Sequence, residues 1–112
     1  MIRVAFFHRA DRIVGFESEG HAGYADSGSD IVCAAVSALL ISCVNGLESV
    51  AHVTPTVRQN DEIGYLKAEL PEALDEVQTH DAGIVLAVAE QGLHSIAQQY
   101  PEFVRVSTKN RR

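Results

Sequence analysis

The fold is decided by one apolar stretch, which reads Asp30-Ile-Val-Cys-Ala-Ala-Val-Ser-Ala-Leu-Leu-Ile-Ser-Cys-Val44. Asp30 is a favoured N-cap residue, so a helix should begin directly after it. Apolar side chains cover nearly every face of this helix, which predicts that it packs under a sheet and against another helix. The pattern can continue past Asn45 and Gly46 as far as Ala51.

Two β-rich pairs of segments flank this helix. Residues 2–8 and 13–19 are rich in β-branched and aromatic side chains and are separated by a short polar turn, which predicts a hairpin. Residues 56–60 and 63–70 predict a second hairpin for the same reasons. The helix therefore connects two antiparallel pairs of strands.

A second helix and a last strand complete the pattern. Residues 81–100 keep a helical period, Pro101 stops the helix, and residues 103–106 predict a strand. The order is then ββαββαβ, which is typical of an α+β, two-layer domain. We expect a mixed or antiparallel sheet packed on two main helices.

Composition limits the class of protein. With 112 residues, 46% hydrophobic and 21% charged, the chain fits one domain that buries its own core. The N-terminal apolar run is too short for a signal peptide, and no uncharged apolar segment reaches the roughly 20 residues that cross a bilayer. The sequence predicts a soluble cytoplasmic protein. The basic residues 109–112 are predicted to form a disordered tail.

Charge argues against direct binding to nucleic acid. The net charge is −6 and the chain has only nine lysines and arginines, whereas phosphate binding needs clustered cations. Residues 61–81 hold seven acidic side chains against the single Lys67. Such a surface suits a basic protein or peptide, or is simply a solvated face.

The two cysteines, Cys33 and Cys43, should be free thiols. On one helix they lie about 15 Å apart along the axis, far beyond disulfide reach. Free thiols are typical of a reducing compartment.

The sequence has neither a Cys-x-x-Cys motif nor a closely spaced histidine pair. The glycine-bearing loop lacks the ending of a phosphate-binding loop. We predict no metal and no cofactor.

A candidate active site lies where the loop meets the helix. The loop carries Gly20, Gly23 and Gly28, a composition typical of a flexible segment, and it also carries His21. Cys33 is the third residue of the helix, where unpaired N–H groups and the helix dipole stabilise a thiolate. The same N–H groups could hold an oxyanion. His21 could take the thiol proton and later protonate a leaving amine.

Structural interpretations stand beside this one. A free cysteine in an apolar helix is most often part of the core, and Cys43 fits that description. Asp30 could orient His21, although its role as N-cap already accounts for it. Ser37, one turn after Cys33, could support the thiolate or bond its own backbone. The remaining histidines are predicted to be structural or exposed: His8, His52, His80 and His94.

The same residues carry a resemblance. Gly20-His21, the loop over 22–29 and Asp30-Ile-Val-Cys33, together with Ala34-Ala-Val-Ser-Ala-Leu39 and residues 92–104, are similar to the ribosomal-processing cysteine protease family, Prp. The similarity covers essentially a single domain over residues 1–108. It implies that His21 is the general base and Cys33 the nucleophile of a thiol endopeptidase.

The resemblance also implies a substrate and a partner. Such an enzyme removes the N-terminal extension of a basic large-subunit ribosomal protein, the one numbered twenty-seven, cutting after hydrophobic residues. It forms a homodimer, and its glycine-rich loop moves aside to admit the peptide.

Two other hypotheses remain open from the sequence. A non-catalytic ribosome-assembly binding module would use the acidic residues 61–81. A redox-sensing thiol would also occur at a helix N-terminus, although no resolving cysteine lies nearby in the sequence.

Overall fold

The computed structural model describes residues 1–26 and 28–111, which form a five-stranded sheet and two helices. The elements are β1 (Ile2–Arg9), β2 (Arg12–Glu19), α1 (Ile31–Ser49), β3 (Thr56–Asn60), β4 (Tyr65–Glu69), α2 (Glu76–Gln99) and β5 (Val104–Asn110). This order confirms the predicted ββαββαβ arrangement and the α+β class.

The sheet is mixed. Its strand order is β3-β4-β2-β1-β5, with β1 antiparallel to β2 and parallel to β5. β4 pairs antiparallel with both β2 and β3. The parallel pairing of β1 and β5 requires a long crossover. The β1–β2 hairpin therefore lies inside the sheet, with the β3–β4 hairpin beside β2 and with β5 beside β1.

The core lies between the sheet and the helices. Phe6 of β1 and Phe16 of β2 are fully buried, with ring centroids 5.9 Å apart. Apolar side chains of both helices complete this cluster: Val32, Val36, Leu40 and Leu47 of α1, and Leu86 and Leu93 of α2. This packing confirms that α1 lies against the sheet and the second helix.

α1 buries only one stripe of its apolar surface. Ile31 and Ile41 remain 55% and 49% exposed, because no further layer of the domain covers the outer face of the helix. By length and composition alone, α1 could also cross a membrane, with 19 residues and a mean hydropathy of 1.9. Core helices pass the same test, and α1 contributes five buried residues here.

α2 begins earlier than predicted. The sequence period placed its start at residue 81, but the helix begins at Glu76 because Asp75 caps it. The Gln78 amide donates to Asp75 Oδ1 at 2.7 Å, and the Asp75 amide donates to Gln78 Oε1 at 3.2 Å. This capping box stabilises a first turn that has little apolar periodicity.

The prediction of a disordered tail over 109–112 is wrong for residues 109–111. β5 extends to Asn110, and the Arg111 amide donates to the His8 carbonyl at 2.7 Å. The Arg111 guanidinium lies 3.8 Å from the ring centroid of Phe7, which is only 2% exposed. Arginine covers an aromatic ring that the helices do not reach. Arg112 lies outside the described residues.

Candidate active site

His21 and Cys33 line the same two adjoining cavities. One cavity, of about 220 Å³, extends from α1 towards the β3–β4 hairpin and is also lined by Gly64 and Leu66. The other, of about 530 Å³, extends over the glycine-bearing loop. His21, Cys33 and Ser37 line both cavities. Three of the residues that the sequence pattern singled out therefore surround one groove.

Cys33 lies half-buried in the first turn of α1, as predicted. The Ala22 amide donates to Cys33 Sγ at 3.2 Å. A main-chain N–H directed at sulfur stabilises negative charge there. The sequence pattern does not point to Ala22, because its contribution is a backbone group and the alanine side chain gives no signal. The loop thus brings a thiolate-stabilising donor to Cys33.

Asp30 has the capping role that its position predicts. Its Oδ1 accepts the Val32 and Cys33 amides at 3.0 and 2.9 Å. Its Oδ2 accepts the Tyr24 and Ala25 amides at 3.0 and 3.3 Å. The carboxylate therefore ties the loop to the helix. The expectation that first-turn amides are free for an oxyanion is wrong for Val32 and Cys33, because Asp30 occupies both.

These contacts predict how stability depends on acid. The pKa of Asp30 lies below its ordinary value of 3.8, because main-chain N–H groups donate to the carboxylate. The hydrogen bond from the Cys33 amide is the largest cause, and those from Ala25 and Tyr24 add to it. A carboxylate with a lowered folded-state pKa stabilises the fold above the unfolded-state pKa. That contribution is lost as the pH falls through the folded-state pKa.

We therefore expect Asp30→Asn to melt a few degrees below wild type at pH 7, with the gap closing as the pH falls below the ordinary pKa of 3.8. Melting temperatures across pH 7 to 2 measure this. Asp11→Asn, at the exposed turn of the first hairpin, is the matched control and should track wild type at every pH. A gap for Asp30→Asn that stays constant into acid would contradict the assignment.

The loop that carries His21 is held at several points. The Met1 ammonium donates to the His21 carbonyl at 2.6 Å. The Tyr24 ring packs edge-on against Tyr100 and Phe103, with centroids 5.8 and 5.3 Å away. The predicted loop glycines all have a positive φ: Gly20 at 97°, Gly23 at 72° and Gly28 at 87°. Their flexibility stays a prediction. Ser27 lies outside the described residues.

The His21 side chain contacts the second hairpin. Its Nε2 lies 3.1 Å from the carbonyl oxygen of Glu62, in the turn between β3 and β4. The Gly20 amide donates to the Ile63 carbonyl at 3.2 Å. The sequence pattern does not mark this turn as part of the site, because the turn contributes main-chain atoms to these contacts.

The other titratable candidates lie elsewhere. Cys43 is 5% exposed, and its burial raises the pKa of the thiol to about 12, so it is a core residue as expected. None of the four remaining histidines lines the two cavities; His8, for example, bonds Glu90 at 2.9 Å. Within residues 1–26 and 28–111, no group of three or more His, Cys, Asp or Glu side chains could hold a metal ion.

The acidic residues 61–81 are partly used within the domain. Asp75 caps α2, and Asp61 accepts from Gln59 Nε2 at 2.9 Å. Glu69 pairs with Lys67 at 3.2 Å and with Arg111 at 2.5 Å. These carboxylates have partners inside the fold, which weakens the hypothesis of an acidic docking surface.

The chain matches a known family of proteases. The family model described as Cysteine protease Prp matches residues 1–105. A Bacillus subtilis relative named ribosomal processing cysteine protease Prp is 33% identical over 96 residues, 86% of each chain.

Solved structures agree with this match. A Streptococcus mutans protein superposes with a TM-score of 0.86 and 31% identity, covering 99% of this chain and 96% of that one. The Staphylococcus aureus ribosomal processing protease Prp, solved with a covalently linked product peptide, superposes with a TM-score of 0.86 and 25% identity. That match covers 97% of this chain and 100% of that one.

Proposed function

Because the chain belongs to the Prp family of ribosomal processing cysteine proteases, we propose that it removes the N-terminal extension of a basic large-subunit ribosomal protein, the one numbered twenty-seven. Cys33 is the nucleophile and His21 the general base. The observation that carries this proposal is the shared groove that His21 and Cys33 line, with the Ala22 amide donating to Cys33 Sγ.

The chemistry proceeds through a thioester. His21 takes the proton from Cys33 Sγ, and the thiolate attacks the carbonyl carbon of the scissile peptide bond. The tetrahedral intermediate collapses as His21 returns that proton to the leaving amine, which departs with the C-terminal part of the substrate. His21 then takes a proton from water, which attacks the thioester and releases the extension as a carboxylic acid. The thiol is regenerated, and atoms and charge balance over the cycle.

The cavity beside β4 supports a preference for a hydrophobic residue before the cut. Its lining includes Leu40, Ile41 and Leu66. The product peptide linked to the Staphylococcus aureus relative supports peptide binding in such a groove. Apolar walls with few polar groups are typical of a side-chain subsite.

The family consists of cysteine proteases, so the alternative of a non-catalytic binding module is set aside. The proposal includes a cytoplasmic location, which suits two free thiols. It excludes direct binding of nucleic acid, which the net charge of −6 disfavours.

The proposal also includes a homodimer, for which exposed Ile84 and Val88, one turn apart on α2, offer an apolar surface. Light scattering gives the mass that tests the dimer.

The test is a cleavage reaction with a mapped product. The chain is incubated with the N-terminally extended ribosomal protein, and with the same protein lacking its extension as the control substrate. We expect one cut, directly after a hydrophobic residue at the end of the extension, and no change in the control. Acid quenching during turnover should trap the extension as a mass added to Cys33. Prolonged incubation without any cut, while the Cys33 thiol still reacts with an alkylating agent, would contradict the proposal.

A further inference from the structure

The turn between β3 and β4 lies against the imidazole of His21, and this contact carries an inference that rests on the proposed roles of His21 and Cys33. We infer that the main-chain carbonyl of Glu62 is the group that orients the general base. It keeps the proton of the neutral imidazole on Nε2, so that Nδ1 is the nitrogen that receives the Cys33 proton. Glu62 is thus a positioning residue, acting through its backbone.

The chemistry of the two groups decides which of them donates the hydrogen bond. A carbonyl oxygen only accepts, so the 3.1 Å contact between His21 Nε2 and the Glu62 oxygen requires a proton on Nε2. A neutral imidazole carries one N–H, which leaves the lone pair of Nδ1 free to act as base. After proton transfer both nitrogens donate, and the Glu62 carbonyl still accepts from Nε2. The hydrogen bond to the Glu62 carbonyl can therefore form with both the neutral and the protonated imidazole of His21.

The turn is built to hold that carbonyl in place. The Gly64 amide donates to the Asp61 carbonyl at 3.2 Å, which closes the turn. The Glu62 amide donates to Asn60 Oδ1 at 3.2 Å. The Gly20 amide donates to the Ile63 carbonyl at 3.2 Å, next to His21 in the chain. Gly20 and His21 of the loop are thus held by Ile63 and Glu62 of the turn.

Gly64 permits this close approach. Its φ is +62°, a conformation that L side chains rarely adopt. A Cβ at Gly64 would collide with the Gly20 carbonyl oxygen and lie 3.1 Å from His21 Cε1. Any larger residue must push the turn away from the imidazole.

Asp30, the side-chain alternative for this role, is already occupied. Its two oxygens accept four main-chain N–H groups from the loop and from α1. The orienting acceptor in this site is therefore a backbone carbonyl rather than a carboxylate.

The direct test is the tautomer of His21 in the wild-type protein. Long-range proton–nitrogen NMR of uniformly nitrogen-15-labelled protein at pH 8 distinguishes a proton on Nε2 from one on Nδ1, and His21→Ala identifies the signals. We expect the Nε2-protonated form to predominate. A predominant Nδ1-protonated form, or an equal mixture, would overturn the inference.

Substitutions at Gly64 give the kinetic counterpart. Gly64→Ala and Gly64→Asn both add a Cβ, but Asn tolerates a positive φ, so the pair separates contact from backbone strain. Both should mix the tautomers of His21 and lower kcat by about 10- to 100-fold, since a misplacement of about 1 Å costs that much. Gly83→Ala, in α2 with nothing within 4 Å of the added Cβ, is the control and should match wild type.

The failure of this inference and of the proposed function can be told apart. An enzyme that cleaves through Cys33 but carries the His21 proton on Nδ1 overturns the orienting role of Glu62 alone. A chain that cleaves nothing yet keeps the proton on Nε2 overturns the proposed function and supports the orientation. Gly64 variants that cleave like wild type, with an unchanged tautomer, count against the inference even when their melting temperatures fall.

Discussion

Replacing Cys33 with alanine should reduce the rate of cleavage of the extended ribosomal protein by roughly 10⁴-fold or more, because it removes the sulfur that is proposed to form the thioester. The groove around Ala22 and His21 stays in place, so substrate binding should change little. Initial rates from mass spectrometry measure kcat, and the affinity for the uncleaved substrate is measured on Cys33→Ala itself.

Cys43→Ala is the matched control for this experiment. Cys43 lies on the same helix, but it is buried in the core, where its pKa of about 12 leaves it protonated at neutral pH. We expect its substitution to leave kcat unchanged and to lower the free energy of unfolding by on the order of 1 kcal/mol. Equal cleavage by Cys33→Ala and wild type would exclude Cys33 as the nucleophile.

Replacing Phe6 with alanine should lower the free energy of unfolding by about 3–5 kcal/mol. Phe6 is 0% exposed and contacts Phe16 across the β1–β2 pair, so its removal leaves a cavity between the sheet and the helices. Domains of this size are stable by only about 5–15 kcal/mol. A shift of the urea midpoint at unchanged slope measures the loss.

Val57→Ala provides the comparison on the same sheet. Val57 lies on β3 and is 41% exposed, so its truncation should change the free energy of unfolding by no more than about 0.5 kcal/mol. If the two variants unfold at the same urea concentration, the core does not depend on the β1–β2 aromatic pair.

The sequence predicted the fold well wherever local patterns decide it. Alternation of apolar residues and turn composition located both hairpins, and Asp30 located the start of α1. The start of α2 was missed because the capping box of Asp75 and Gln78 contributes no apolar period. The last residues of β5 were missed because their basic composition is typical of a tail, whereas their pairing with β1 depends on a distant strand.

The residues of the site fall into two groups, those that the sequence pattern marks and those that it does not. His21, Cys33 and Asp30 carry side-chain chemistry at recognisable spacing, so the pattern singled them out. The Ala22 amide and the Glu62 carbonyl act through the backbone, and every residue has these groups. Only tertiary structure brings residues 20–22 and 62–64 together, and Gly64 gives no sign in the sequence of the neighbour that requires it.

The parallel pairing of β1 with β5 affects when a newly made chain can become active. β1 is synthesised long before β5, so one of its edges stays unpaired until residues 104–110 have been synthesised. The Ile2 amide also donates to the Phe103 carbonyl at 2.8 Å, directly beside the Met1 ammonium that holds the His21 loop. Cys33, the proposed nucleophile, is therefore synthesised before the strand pairing that fixes the His21 loop, so we expect proteolytic activity only after β5 has paired with β1.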